Sequence, residues 1–420
     1  MNETSKKIHY EIDSRKIKKG DTFIAIKGEK NNGHDFVNNA FKKGAKTAIV
    51  EEKRNYIKDV ILVDNVIDYI NKKASILLKE KSKIRIGITG SNGKTTTKFF
   101  LYHLLSYGFK VFTTEKNYNT EIGIPLNILN NFKNQPVSIL EMGLRKENDI
   151  EYLSKYYTPN IEIILNIGTS HIEFFKTRKK IAEEKLKIIS YAEKPSLLFI
   201  NGDEPLLNIE YPEDIKVFRF GENKDNDGYL IDFEYLNWNT RVYYNIFGEN
   251  LMLTLNGIWN KGQLMDALAS LMVSLYFEIP LDPFYISSFS LPEKRFELKK
   301  YGTSLIINDA YNASKESFLS GFESIKKMSI KKKKILLIGE VLEIGDKSYE
   351  YHIEIIESAK KIFDQIYFYD PKNKFKFNNI SILHKKEDIF DILKSENALI
   401  YVKGSNGTNL WKYVEEFLND

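Results

Sequence analysis

Short apolar runs separated by helix-length amphipathic stretches recur along most of the chain. Near its start, DTFIAIKG and KTAIVEE read as strands, and HDFVNNAFKKGA between them has helical spacing. From Ile84 the alternation becomes regular. IRIGITG, KVFTTE, VSILEMG, IEIILNIG and SLLFINGD are compact apolar runs of the kind that fill a parallel sheet covered on both faces. Helical patterns between several of them complete βαβ units. Aromatic and β-branched residues crowd together from Tyr229 to Asn256, which predicts extra strands on the same domain. GQLMDALASLMVSLYFEIP follows as a helix. LDPFYISSFSLPEKR, with two prolines, reads as a linker, and KKKILLIGE, QIYFYD and ALIYVKG predict a further α/β unit. The expectation is an α/β protein of three domains, 1–83, 84–290 and 291–420.

Composition narrows the class. With 420 residues and 42% apolar content the chain can bury several cores. Its charge of +5, from 62 basic and 57 acidic residues, is too even for a nucleic-acid surface. Lys331 to Lys334 therefore read as a solvated strand entry. Absence of cysteine excludes disulfides and thiolate metal sites. The opening MNETSKKIHYEIDSRK has no apolar core of a leader, and no run has the length of a membrane span. A soluble cytoplasmic protein is expected.

Candidate chemistry begins in GITGSNGKTTTKFF, Gly87 to Phe100, between a strand and a helix. Gly90 and Gly93 let backbone N–H groups turn toward an anion. Ser91 and Asn92 lie between them. Lys94 supplies a point charge for β- and γ-phosphates, Thr95 or Thr96 a hydroxyl for magnesium, and the following helix its N-terminus. The spacing departs from the usual eight-residue phosphate loop, since Ile88 stands where its first glycine would, and a plain glycine turn is the alternative. A second candidate lies in KTRKKIAEEKLKIIS. Ile181, Ala182, Leu186, Ile188 and Ile189 form one helical stripe, with Glu183 and Glu184 outside it as solvated charges. Lys185 falls inside the stripe, where a lysine can snorkel to water.

TGSNGKTTT resembles the nucleotide loop of the Mur ligase family, whose members join amino acids or peptides to an ATP-activated carboxylate. KNYNTEIGIP, ILEMG, NIGTSHIEFF, GIWN, KRFE, NDAYNAS and GEVLEIG match in order. SRKIKKGDTFIAIKGEKNNGHDF, IGIPLNIL, HIEFF, YNAS and VKGS resemble the branch that adds D-alanyl-D-alanine to a UDP-N-acetylmuramoyl-tripeptide. Trp259, Asn308, Ala310 and Ser314 depart from residues usual in the family.

The resemblance implies a small UDP-binding domain, a central P-loop mononucleotide-binding domain and a C-terminal Rossmann-like domain. It also implies roles. Glu141 and His171 become magnesium ligands with Thr95, against readings as ordinary strand-end residues. Lys185 becomes a carbamylated metal ligand. Asn260, Arg295 and Asp309 contact ATP, with helix cap, surface arginine and turn aspartate as the alternatives. Asn119, rather than Asn117, contacts phosphate or substrate. Ser14, Arg15, Lys27 and Gly28 hold the uridine diphosphate, and Lys403 the dipeptide. The implied reaction uses ATP and two magnesium ions, passes through an acyl phosphate and releases ADP in peptidoglycan precursor synthesis. Partners are the two substrates alone, with no nucleic acid or membrane insertion, and the chain acts as a monomer. A sibling amino-acid-adding or folate-type ligase and a P-loop switch ATPase are the rival readings.

Overall fold

The computed structural model describes residues 8–115, 117–378 and 380–419. The ends of the expected first and last domains, and the lysine that opens KNYNTEIGIP, lie outside the described residues. The chain divides into two compact units, one of Met1–Gly87, Phe109–Ile161 and Lys187–Lys194, the other of Ile88–Gly108, Glu162–Leu186 and Pro195–Asp420. The fold class is α/β, with mainly parallel sheets.

In the first unit, strands Tyr10–Glu11, Thr22–Ile24, Thr47–Val50 and Ile61–Leu62 form a four-stranded parallel sheet. Phe23, Ala25, Val37, Ala40, Phe41, Ala48 and Val50 pack as its core. Val111–Thr113 and Val137–Glu141 pair in parallel in the same unit. The second of these is buried along its whole length, as its mainly apolar make-up predicts.

In the second unit, Ser196–Asn201 and Ile215–Gly221 pair in parallel, and Gly228–Leu236, Asn239–Ile246 and Glu249–Asn256 extend the sheet as an antiparallel meander. These last three are the extra strands expected from aromatic crowding. A six-stranded sheet follows in the order Glu297–Tyr301, Ser304–Asn308, Ala398–Lys403, Lys333–Gly339, Gln365–Tyr369 and Ser381–Leu383, with only the first strand antiparallel. No sheet among the described residues takes strands from more than one of the segments 1–83, 84–290 and 291–420.

The helix Lys261–Tyr276 is set by a capping box. The Asn260 side chain accepts from the Gln263 N–H, and the Gln263 side chain accepts from the Asn260 N–H. The expected linker is partly helical. Asp282 accepts from the N–H groups of Phe284 and Tyr285, and Pro283 occupies the first turn, so Pro283–Ser287 forms a short helix. Trp259 is a core side chain. Its ring meets Phe100 edge-on at 5.3 Å and its indole N–H donates to the Asn256 carbonyl.

Candidate active site

The phosphate loop leaves the strand Ile84–Thr89 and enters the helix Lys94–Leu105. Two glycines are required by its geometry. A Cβ on Gly90 would stand 2.9 Å from the Leu165 Cβ. Gly93 caps the helix at φ 85°, and a Cβ there would stand 2.0 Å from an Asp266 carboxylate oxygen. The loop is tied to the segment after the strand Ile161–Ile164. Ser91 N–H donates to the Asn166 carbonyl at 3.0 Å, Asn92 N–H to Asn166 Oδ1 at 2.9 Å, and Gly168 N–H to Ser91 Oγ at 2.9 Å. Lys94 Nζ donates to the Gly90 carbonyl at 2.6 Å, so its ammonium lies over the loop it is expected to serve. Thr95 is half-buried on the first helical turn, whereas Thr96 is buried. Of the two threonines, Thr95 is the less buried.

Residues of the 291–420 segment meet this loop within the second unit. Asn92 Nδ2 donates to Ser314 Oγ at 3.0 Å, and Thr169 Oγ1 to Glu316 Oε1 at 3.1 Å. The Arg295 guanidinium lies 4.6 Å from the Tyr311 ring, and the Arg295 carbonyl accepts from Gln263 Nε2 at 2.8 Å. Phe296 N–H donates to Asp309 Oδ1 at 3.0 Å. Asn260 is buried at the helix cap, and its Oδ1 also accepts from Ser320 Oγ at 3.3 Å. The cap reading of Asn260 is thus present in the structure.

His171 stands at φ 64° at the start of the short helix Ile172–Phe175, with Nδ1 2.5 Å from Glu343 Oε2. Lys185 is buried on the helix Arg178–Leu186 and does not snorkel. Burial holds its amine pKa well below the usual lysine range, and the nearby Lys94 charge pushes the same way. Glu184, expected among the solvated charges, is buried as well. Its neighbour Lys180 lies one turn back with Nζ 3.5 Å from Glu184 Oε1, which makes the burial tolerable.

In the first unit, Glu141 is buried at its strand end and its Oε1 accepts from Asn119 Nδ2 at 2.9 Å. The Asn119 carbonyl also accepts from Gly143 N–H at 2.8 Å, while Asn117 is exposed. Arg15 is turned to Asp13, with Nη2 2.9 Å from Oδ2, and that pairing lowers the Asp13 carboxyl to about 2. Ser14 is buried beside it. Lys27 and Gly28 open an exposed turn in which Gly28 N–H donates to the Asn31 carbonyl.

Lys403 differs from expectation. Its ammonium is buried and lies 2.6 Å from Asp309 Oδ2. It is therefore engaged inside the protein and not extended toward an incoming dipeptide.

A model of the Mur ligase middle domain matches residues 88–270, and one described as the Mur ligase family catalytic domain matches residues 8–85. The UDP-N-acetylmuramoyl-tripeptide–D-alanyl-D-alanine ligase of Bacillus subtilis (strain 168) is 33% identical, over 97% of this chain and 92% of that one. The chain belongs to the Mur ligase family. The ligase of the same name from Rickettsia prowazekii (strain Madrid E) is 29% identical over 97% of this chain and 94% of its own. Among solved structures, the MurF ligase from Thermotoga maritima in complex with ADP is 32% identical with a TM-score of 0.91, covering 98% of this chain and 97% of that one. A MurF from Acinetobacter baumannii, 21% identical with a TM-score of 0.90 over 100% and 95% of the two chains, shares the fold.

Three further residues shape this Mur ligase's site, two of them inside matched motifs (Asn166 in NIGTSHIEFF, Glu343 in GEVLEIG) but not singled out there. Asn166 clamps the phosphate loop, Glu343 pairs with His171, and Asp266 underlies Gly93. Asp266 had a signal in the sequence, an isolated acid inside the apolar run LMDALASLM. Burial pushes its carboxyl up to about 7, against the pull of the Arg295 and Lys94 cations. Among the described residues, no group of three or more histidine, aspartate or glutamate side chains forms a metal cage, and no helix is long and apolar enough to cross a membrane.

Proposed function

We propose that the protein is an ATP-dependent, ADP-forming ligase that joins the carboxylate of UDP-N-acetylmuramoyl-tripeptide to the amine of D-alanyl-D-alanine in peptidoglycan precursor synthesis. The observation that carries this reading is the end-to-end similarity to ligases of that name, at 33% identity over 97% of the chain. The tripeptide carboxylate attacks the γ-phosphate of ATP, giving an acyl phosphate and ADP. The dipeptide amine then adds to the acyl carbon, and the tetrahedral intermediate expels phosphate.

Gly90, Ser91, Asn92 and Gly93 shape the loop, and Lys94 with the first-turn N–H groups at Thr95 and Thr96 meets phosphate oxygens where charge builds as two anions approach. Arg295 and Asp309 complete the nucleotide site from the 291–420 segment, with Asn260 at the adenine side. Ser14, Arg15, Lys27 and Gly28 hold the uridine diphosphate and Asn119 a phosphate or substrate oxygen.

Magnesium fits the residues present. A hydroxyl at Thr95, a buried carboxylate at Glu141 and an imidazole at His171 are hard or borderline donors, and a few protein ligands per ion suffice where phosphate oxygens supply the rest. Two bound ions would offset negative charge on the transferring phosphoryl group. A carbamate on Lys185 would make its nitrogen substituent an anionic oxygen donor. The depressed pKa of the buried amine supports this, because carbon dioxide adds to the neutral form. Action in the cytoplasm, as a monomer, and the domain boundaries at 83/84 and 290/291 belong to the same proposal.

The test is isotopic. Tripeptide substrate labelled with heavy oxygen in its terminal carboxylate should pass one label into released phosphate for each peptide bond formed. Unlabelled phosphate would exclude the acyl-phosphate route.

A further inference from the structure

In the second unit a cavity of about 850 Å³ is lined by none of the residues assigned above to nucleotide, metal or substrate. Its walls carry Trp238, Ile258, Phe296 and Leu305, together with Lys300 and Lys332. Its one acidic wall residue among those described, Glu297, is already compensated: Oε1 lies 2.6 Å from Lys299 Nζ and Oε2 accepts from the Lys294 N–H at 3.1 Å. Lys332 is held in place by the Thr303 carbonyl at 2.7 Å and Asn397 Oδ1 at 2.8 Å. The cavity therefore combines apolar walls with a positive balance, the make-up of a small-molecule site selective for an anion.

An independent observation concerns Trp238. Asn237 and Trp238 form the two-residue turn between paired strand ends Leu236 and Asn239, at φ 47° and φ 67°. Such turns favour Asn-Gly, because a Cβ is strained in the second left-handed position. Trp238 accepts that strain while 55% exposed, so packing does not compensate it. Phe296, across the linker, is also left-handed at φ 60°. Strain held at an exposed aromatic on a cavity rim points to a ligand that uses the ring.

We propose that this cavity binds a planar aromatic anion, a ring bearing a carboxylate or a phosphate, with the ring against Trp238 and the anionic group met by Lys300 and Lys332. The shared chemistry is met by aromatic carboxylates and by nucleoside monophosphates, and two probes separate them. The full chain, with ADP present at saturation, is titrated calorimetrically with naphthoate, with uridine monophosphate and with neutral naphthamide. At least one anion should bind with ADP still in place, and naphthamide should bind at least about tenfold more weakly than naphthoate if the carboxylate is the preferred group. Trp238→Gly, and separately the double variant Lys300→Gln/Lys332→Gln, should each weaken the binding anion by about tenfold. Glycine suits the turn, so Trp238→Gly should unfold thermally no earlier than the parent. Absence of binding by both anions at millimolar concentration, displacement by ADP, or equal binding in both variants would overturn the proposal.

Discussion

Lys403 and Asp309 form a buried ion pair, with Nζ 2.6 Å from Oδ2 and side chains only 3% and 10% exposed. The same carboxylate accepts from the Tyr401 hydroxyl at 2.8 Å and, through Oδ1, from the Phe296 N–H at 3.0 Å. Asp309 thus joins the ends of two neighbouring strands to the linker that carries Arg295. Removing Lys403 would leave a buried charge without its partner, which costs about 3–5 kcal/mol in comparable cases. Lys403→Ala should therefore lose stability of that order in urea unfolding, and lose turnover as Asp309 shifts. A variant of parental stability whose only defect is a raised KM for the dipeptide would assign Lys403 to the dipeptide instead.

Lys94→Ala should lower kcat by about a hundred- to a thousandfold, the scale of one lost electrostatic donor in a transition state. Its ammonium donates to the Gly90 carbonyl at 2.6 Å and to the Ser91 carbonyl at 3.3 Å, contacts within one short loop, so the unfolding midpoint should move little. Steady-state kinetics and thermal unfolding on one preparation check both halves. Parental turnover would remove the loop from the chemistry.

Burial of Lys185 makes a specific chemical expectation. If Lys185 carries the proposed carbamate, Lys185→Ala should lose most activity, and acetate or formate should restore part of it by supplying a carboxylate in its place. Labelled bicarbonate should give a carbamate carbon signal in the parent that is absent from the variant. A parent without that signal, alongside an active alanine variant, would contradict the modification.

Asp266 gives a pH dependence whose sign is fixed. Its carboxyl lies at about 7 when folded and near 4 when unfolded. Between those values the folded state binds more protons, so stability falls as pH rises from about 4 to about 7 and is level above. The full span is up to about 4 kcal/mol, an upper figure for a fully desolvated group. Asp266→Asn should flatten the profile over that window and unfold later than the parent at pH about 8. Parallel profiles for parent and variant would show that Asp266 is not the titrating group.

Much of this architecture was legible because its strands are buried on both faces. VSILE and ALIYVK are dominated by apolar residues, with only the small Ser138 inside the first, and both are strands buried throughout. The capping signal at Asn260 and the loop glycines were legible for similar local reasons. Partners far apart in sequence were not. Nothing near His171 specifies Glu343, and nothing near Asn92 specifies Ser314, because closure of the fold brings them together. Periodicity also misplaced Glu184. A helix wheel assigns charges to solvent, whereas Glu184 is buried with Lys180 one turn back as a partner. Lys403 differs in kind. Its position at a strand end suggested a ligand contact, and nothing in the sequence signalled its pairing with Asp309.

The central claim is ligation of a dipeptide to a nucleotide-linked tripeptide at the expense of ATP. The most direct measurement is mass spectrometry of the product, with parallel ADP counting, across a panel of acceptors. With UDP-N-acetylmuramoyl-tripeptide and ATP, D-alanyl-D-alanine should give the condensed product, one ADP per bond, far faster than L-lysine, meso-diaminopimelate or L-glutamate. Faster condensation of any single amino acid, or ADP release at full rate with no acceptor and no product, would contradict the account.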